Sequence, residues 1–443
     1  MSKTFRAWDV DQQWVFPPSV NDFVPTGHMA HFIRETVRSD LDLSAIFSTY
    51  QEERGFPPYH PTMMTALLLY GYSRGVYSSR KLAQACEERV DFMAVTAMNR
   101  PDFRTIATFR RRHLSALADL FLQVLKLCWA AGLVQLGHVA LDGTKIQANA
   151  SGRKAMSYGR MRGTEKKLAA EIAAWFAKAE TSDVQEDRAH GADRRGDEMP
   201  DWVADKAQRL ERIRAAKAVL EAEAKDPPPD DEDGPGPSSG MRNGGKPGRG
   251  KDGGPPDRAQ RNFTDPDSRI QRSHGGFIAG YNAQIAVDAA HQIIIAQHVQ
   301  TNPRDAGALK PLLAATRAAF KTNPREVSAD AGYCTEANLA HLERRKIAGY
   351  IAVGRARNAQ SGPAATNTSR TPRITAMALK IRRARFRSRY RLRKQVVEPV
   401  FGQIKSARGF RQFLLRGLKN VKSEWAMIAT AHNLNKLYRA MAA

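Results

Sequence analysis

The segment from His138 to Asn149 constrains the fold of this chain more than any other. It reads His-Val-Ala-Leu-Asp-Gly-Thr-Lys-Ile-Gln-Ala-Asn, an aliphatic run followed by Asp142, a glycine and alternating polar residues. This pattern predicts a buried strand with Asp142 at its exposed edge. Asp330 and Glu398 each follow a short apolar run as well. A single buried acid is usually a capping or core residue, but three acids in such settings favour a carboxylate cluster for Mg²⁺.

The charge of the chain favours a nucleic-acid partner. Lys+Arg number 69 against 45 Asp+Glu, which gives a net charge of +24 and a pI near 10.2. Such a chain can displace counterions from a phosphate backbone, although ribosomal and membrane-surface proteins are basic too.

The three cysteines form no Cys-x-x-Cys pair, so neither a zinc finger nor a disulfide framework is indicated. Without a long apolar stretch or an apolar signal core, we expect a cytoplasmic, nucleoid-associated protein with no membrane partner.

The N-terminal part of the chain has a helical pattern with many basic residues. Residues 1–56 are expected to form a strap that packs on the next domain, and residues 57–131 a set of short helices. Ser78 or Ser79, and Thr105, have the residue type and position of N-caps. The cations near the helices favour a helix-turn-helix type of DNA-binding domain, with a helical bundle and a solvated basic face as the alternative. The cations expected to contact DNA here are Arg110, Arg111 and Arg112.

A large insertion is predicted after the first strand, over residues 152–262. Residues 164–225 are rich in Ala, Glu, Lys and Arg, which is typical of one or two exposed helices. Residues 227–256 contain 17 Gly or Pro in 30 positions. Such a composition buries too little apolar surface to order the chain, so the segment from about 227 to 262 is predicted to be a disordered linker.

An alternating α/β pattern resumes after the linker. Together with the Asp142 strand, it predicts an α/β fold class: a ribonuclease H-like catalytic domain over residues 132–151 and 263–443, preceded by the all-α domain. Asp142 would lie on the first strand, Asp330 at the end of the fourth, and Glu398 on the closing helix. Pro399 disfavours a helix that runs straight through Glu398. The predicted elements are strands at 280–288, 292–299, 326–330 and 348–353, and helices at 305–320 and 335–345.

Three motifs occur in order along the chain: Leu-Asp142-Gly-Thr-Lys, Ala-Asp330-Ala-Gly-Tyr, and the series Tyr390, Arg393, Glu398 and Lys405. They resemble the motifs of the DDE transposases of bacterial insertion sequences, in the group whose third motif reads Tyr, Arg, Glu, Lys. Glu398 and Lys405 keep the family spacing. Tyr390 and Arg393 lie one residue earlier than the family places, which Arg391 and Lys394 occupy. Asp288 and Asp305 compete for the second acidic position, but turn and helix-cap preferences explain both.

The resemblance implies a DNA transposase that cuts transposon ends by metal-dependent hydrolysis and joins them to target DNA by transesterification. Asp142, Asp330 and Glu398 would be the catalytic residues and the ligands of two Mg²⁺ ions, with Mn²⁺ as the alternative metal. The partners would be double-stranded terminal inverted repeats and target DNA, bound by a homodimer. An inactive transposase-derived DNA-binding protein and a structure-specific nuclease are the alternative hypotheses. The remaining residues expected to contact DNA are Arg389, Tyr390, Arg391, Arg393, Lys394 and Lys405.

Overall fold

The computed structural model describes residues 19–50, 58–151, 154–190, 201–225, 254–273, 276–353, 372–384 and 389–442. Parts of the predicted strap, the predicted linker from 227 to 253, and the side chain of Arg389 lie outside the described residues. The chain divides into two compact units. The first unit comprises residues 1–134, 403–409 and 426–443, and the second comprises residues 135–402 and 410–425.

Short helices make up most of the described N-terminal part. They are α1 (Met29–Glu35), α2 (Ser44–Phe47), α3 (Pro61–Ser73), α4 (Ser79–Glu88), α5 (Val90–Thr96), α6 (Phe103–Arg112) and α7 (Leu114–Ala130). Helix α6 begins after Asp102, whose carboxylate accepts the N–H groups of Arg104 and Thr105. The predicted N-cap at Thr105 is therefore wrong, because Asp102 bonds the free N–H groups of the first turn. Helix α4 follows Ser78, whose side chain makes no capping hydrogen bond.

Arg110 on α6 lies in the interior of the first unit, where its side chain joins neighbouring segments. Its side chain is buried, with the residue 6% exposed. The guanidinium donates to the carbonyl of Tyr77 at 2.9 Å, the hydroxyl of Tyr72 at 3.3 Å and Oγ of Ser79 at 3.1 Å. A buried charge is tolerated only when its donors are bonded in this way. This corrects the predicted DNA contact of Arg110, because its donors are used inside the first unit.

A mixed sheet forms the centre of the second unit. The strands are β1 (His138–Gln147), β2 (Ala155–Ser157), β3 (Gln260–Asn262), β4 (Arg269–Ser273), β5 (Gly276–Asp288), β6 (Ile294–Gln300), β7 (Glu326–Ala329) and β8 (Ala348–Ile351). The sheet has the order β4-β5-β1-β7-β8, and β6 also pairs with β5. Strand β1 is antiparallel to β5 and parallel to β7. This central position explains its aliphatic run, since Val139, Ala140 and Leu141 are fully buried.

The insertion after β1 contains two long helices, α8 (Tyr158–His190) and α9 (Asp201–Lys225). They share a small apolar core that includes Met161, Leu168 and Ile213. Strand β3 pairs with β2, and Arg261 on β3 is buried with its guanidinium 3.1 Å from Glu223 Oε1. The predicted linker is therefore wrong at its end: residues 254–262 are ordered, because β3 pairs with β2 and Arg261 is held by an ion pair to α9.

Further helices follow the strands of the sheet. They are α10 (Leu309–Phe320), α11 (Glu336–Arg344), α12 (Pro372–Ala384), α13 (Leu392–Gly402) and α14 (Leu418–Met441), with a π-helical segment at Gln403–Ala407. The predicted cap of α11 is confirmed, since Oγ1 of Thr335 accepts the N–H of Asn338 at 3.1 Å. Among the described helices, no single one is long and apolar enough to cross a membrane, and only α6 and α7 taken together, bent by 72°, reach that length and composition.

Helix α13 continues through Glu398 and Pro399, which corrects the expected interruption. A proline inside a helix leaves the carbonyl four residues earlier without its usual N–H donor. That carbonyl belongs to Gln395, and Nε2 of Gln292 donates to it at 3.1 Å. A side chain from the β5–β6 hairpin thus replaces the missing backbone bond, and the helix can carry Glu398 past the proline.

Replacing Gln292 by methionine is expected to lower the free energy of unfolding by about 1 kcal/mol, the net worth of a typical hydrogen bond. Methionine keeps the length of the side chain and meets the same backbone strain at φ 59°. In a Pro399→Ala background the cost should shrink, because the alanine supplies its own N–H to Gln395. Urea denaturation of the four proteins measures this double-mutant cycle, and equal costs in both backgrounds would contradict the proposed compensation.

Candidate active site

Asp142 and Asp330 lie at the same level of two neighbouring parallel strands. In the β1–β7 pairing, Ala140 stands opposite Ser328, and each aspartate follows two residues later. Asp330 directly follows β7, and its Oδ1 accepts the N–H of Gly332 at 3.0 Å. Asp142 lies on β1, and its Oδ1 accepts the N–H of Gly143 at 2.9 Å. The sheet therefore brings the first two predicted acids together.

Asp305 joins these two acids from the segment before α10. Its Oδ1 accepts hydrogen bonds from Lys145 Nζ at 3.2 Å, Asn282 Nδ2 at 2.7 Å and Gln284 Nε2 at 2.7 Å. A Cβ built on Gly332 would lie 3.0 Å from Asp305 Oδ2 and 3.1 Å from Asp330 Oδ1. Both carboxylates therefore face the same point of the backbone, where glycine leaves the room they need.

The environment of the acids disfavours their ionised forms. Burial raises the pKa of Asp142 to about 6, and the nearby charge of Asp330 adds to this, while Arg393 opposes it. Burial also raises the pKa of Asp330, with Asp305 as the next contributor. Carboxylates that are buried and close to one another repel. In proteins a cation placed among them commonly offsets this repulsion.

Arg393 is one such cation, and it lies beside both Asp142 and Glu398. Its Nη1 donates to Asp142 Oδ2 at 2.6 Å, and its Nη2 is 3.9 Å from Glu398 Oε1. The Arg393 and Asp142 side chains are 10% and 16% exposed, whereas that of Glu398 is 54% exposed. The structure thus brings Asp142 and Asp330 together, and the Arg393 guanidinium stands between Asp142 and Glu398.

No group of three or more His, Cys, Asp or Glu among the described residues has the geometry of a metal site. The oxygen donors of Asp142 and Asp330 are nevertheless of the kind that Mg²⁺ prefers. Two adjacent half-buried carboxylates with raised pKa values also carry the charge that a divalent cation would neutralise. Asp142 on β1 and Asp330 after β7 therefore fit a Mg²⁺ ion.

The other residues predicted to contact DNA have varied surroundings. Arg391 and Lys394 are exposed on the segment that leads into and begins α13, and the Arg393 guanidinium lies 6.0 Å from the centre of the Tyr390 ring. In the first unit, Arg111 and Arg112 are exposed. Lys405 lies half-buried in the π-helical segment.

Sequence reasoning missed the polar network around Asp305. Its members are Lys145, Asn282, Gln284 and Tyr333, whose hydroxyl donates to Gln284 Oε1. Asn282 and Gln284 are both fully buried on β5. Two polar residues at a spacing of two in an otherwise apolar strand place their side chains on one face, and this signal could have indicated a polar site.

A mixed sheet with two half-buried aspartates at matching positions of two neighbouring parallel strands defines an α/β protein with a carboxylate site. Residues 248–434 match the family described as Transposase DDE domain, and residues 18–112 match Transposase domain (DUF772). The chain belongs to the DDE transposases of insertion sequences, which confirms the resemblance to that family, while its membership of the group with the Tyr, Arg, Glu, Lys motif stays a prediction. Neither the curated proteins nor the solved structures compared with it include a match. The Asp142 strand lies between the two matched segments, so its link to the site comes from geometry.

Proposed function

We propose that this transposase cuts the ends of its insertion sequence and joins them to target DNA. The observation that carries the proposal is the adjacent placement of Asp142 and Asp330 on two parallel strands, with Arg393 and Glu398 beside them on α13. In-line phosphodiester cleavage needs charge stabilisation on both the attacking and the leaving oxygen. A carboxylate cluster inside a basic protein meets this need beside β1 and β7, while the cationic surface binds the DNA backbone.

Asp142 and Asp330 would hold Mg²⁺ or Mn²⁺, and Glu398 would complete the set. When bound, two such ions acidify the attacking water and stabilise the leaving oxygen. Other residues of the chain hold the carboxylates in position. Arg393 fixes the Asp142 carboxylate, and the hydrogen bonds from Lys145 and Gln284 fix Asp305 beside Asp330. Fixed groups of this kind cost no reorganisation when the phosphate arrives.

The sheet supports a ribonuclease H-like core. Its first three core strands, β1, β5 and β6, pair antiparallel, and β7 and β8 then extend the other side of β1 in parallel. This agrees with the order of elements predicted for that core. The helical domain at 57–131, the insertion at 152–262 and a homodimer on DNA remain parts of the proposal.

The decisive experiment gives the full-length protein its own terminal repeats. A duplex carrying the inverted repeats that flank the reading frame is incubated with Mg²⁺ and a supercoiled target plasmid. We expect 3′ ends released at the repeat boundary and then joined to the plasmid, because one site can perform both displacements. Cleavage without joining would favour a structure-specific nuclease. Repeat binding without cleavage would favour an inactive, transposase-derived DNA-binding protein.

A further inference from the structure

A cluster of basic residues surrounds a cavity in the first unit. A cavity of about 320 Å³ opens between the end of α3, the π-helical segment and the last turns of α14. Four cations line it, and none of its lining residues is acidic. They are Arg74, Arg408, Lys436 and Arg439. Positive charges gathered in one concave site repel each other unless an anion lies among them.

The cavity wall around Arg408 is held by specific contacts. Arg408 Nε donates to the carbonyl of Gln403 at 3.2 Å, and its Nη2 lies 3.0 Å from Nδ1 of the buried His432. Gly75, at φ +76°, approaches the Arg408 backbone so closely that a Cβ would lie 2.7 Å from its carbonyl oxygen. Asn435 Nδ2 donates to the carbonyl of Ser73 at 3.3 Å. The three segments are therefore joined, and the guanidinium is fixed in place.

The Arg408 side chain has an unsatisfied hydrogen-bond donor. Its Nη1 is buried and has no hydrogen-bond partner in the described part of the chain. Burial lowers the pKa of Arg408 to about 10, with the charge of Arg439 contributing, so the side chain still carries its charge at neutral pH. Burial likewise lowers the pKa of Lys436, again reinforced by Arg439. A buried donor without an acceptor is costly, and an anion in the cavity would remove that cost.

Arg74 and Arg439 complete the site from the solvent side. Both are exposed, and their guanidinium groups make no hydrogen bond or ion pair within the described residues. Arg408 is held inside the cavity, and Arg74 and Arg439 are open to solvent. Cations arranged in this way can bind a phosphate by charge-assisted hydrogen bonds. A π-helical turn in the wall is also a frequent feature of functional sites.

We propose that this cavity binds a phosphodiester group of the DNA backbone. The proposal rests on the proposed function, because it is the activity on DNA that makes a backbone phosphate the expected anion. The net charge of +24 and the open side of the cavity also favour a phosphate that belongs to a long polyanion. The site positions DNA without reading its sequence, since phosphate contacts carry no base information.

The test is a salt titration of DNA affinity with full-length protein. The variant Arg74→Gln/Arg439→Gln removes the two exposed cations and leaves the half-buried Arg408 in place. The matched control, Arg38→Gln/Lys126→Gln, removes two exposed charges from the same unit outside the cavity. We expect the slope of log K against log salt to fall in magnitude by about 0.9 relative to the control, because the cavity variant no longer neutralises one phosphate. The change should be the same for terminal-repeat and random duplexes.

Equal slopes for the cavity variant and the control would overturn the proposal. A second measurement follows thermal unfolding with inorganic phosphate against chloride of equal ionic strength. Phosphate should raise the midpoint of the control more than that of the cavity variant. If phosphate acts through the cavity while the DNA slopes stay equal, the site takes free phosphate, and the assignment to DNA is overturned.

The readout does not require strand cleavage, which separates this proposal from the proposed function. A protein that binds DNA through the cavity but never cuts it would contradict the transposase activity and support the cavity site. A wild-type protein that binds no DNA at any salt concentration would overturn both.

Discussion

Replacing Asp142 or Asp330 by asparagine is expected to slow DNA cleavage by about three orders of magnitude. The change removes a carboxylate that would hold the metal, and metal-ion stabilisation of the transition state is worth several kcal/mol, with each 1.36 kcal/mol giving about tenfold in rate. Burial raises the pKa of both aspartates, so a neutral group of the same shape suits either position, but Asp142→Asn also leaves the Arg393 guanidinium without its carboxylate partner. Urea denaturation of each variant therefore separates lost chemistry from lost stability. A nicking assay in Mg²⁺ and a gel shift on the same preparations measure both steps.

Glu398→Gln belongs in the same experiment, because the placement of Glu398 differs from that of the two aspartates. Its side chain is 54% exposed, and the Arg393 guanidinium lies between it and Asp142. We expect a loss of cleavage for this variant as well if α13 supplies the third ligand. Asp257→Asn is the control, since the Asp257 side chain is 78% exposed and lies outside the cluster. Full cleavage by any of the three site variants would remove that residue from the proposed catalytic set, and lost DNA binding would indicate a folding defect.

The sheet was predictable because its strands carry strong local signals. The aliphatic runs before Asp142 and Asp330 predicted β1 and β7, and the apolar pair at 280–288 and 292–299 predicted the β5–β6 hairpin. Helix α11 was predictable from its Thr335 cap. The meeting of Asp142 and Asp330 depended on strand order, which the alternating α/β pattern and the family resemblance supplied.

Features that depend on tertiary contacts were not predictable in the same way. Arg110 belongs to a run of three arginines, and only the fold decides that its guanidinium turns inward to Tyr72 and Ser79. Pro399 is a helix breaker by local rules, but Gln292 supplies the missing hydrogen bond from another part of the chain. Asp305 was well explained as a cap until the structure placed it beside Asp330.

Replacing Arg393 by methionine is expected to lower the free energy of unfolding by about 3 kcal/mol when measured in a chelator. Arg393 Nη1 lies 2.6 Å from Asp142 Oδ2, and both side chains are largely buried, at 10% and 16% exposed. Removing one partner of a buried ion pair leaves the other charge uncompensated, which costs more than the pair contributes. Asp142 would then face Asp330 with its main opposing charge gone.

The double variant Asp142→Asn/Arg393→Met should recover most of this loss, since neither charge is then left alone in the site. Arg391→Met is the matched control, because Arg391 is exposed nearby and should cost little. Urea denaturation followed by circular dichroism gives the free energies of the double-mutant cycle. Additive costs for Asp142→Asn and Arg393→Met would mean that the two side chains do not depend on each other. Arg393 would then have to act on another group, and its role in fixing the first acid of the site would be lost.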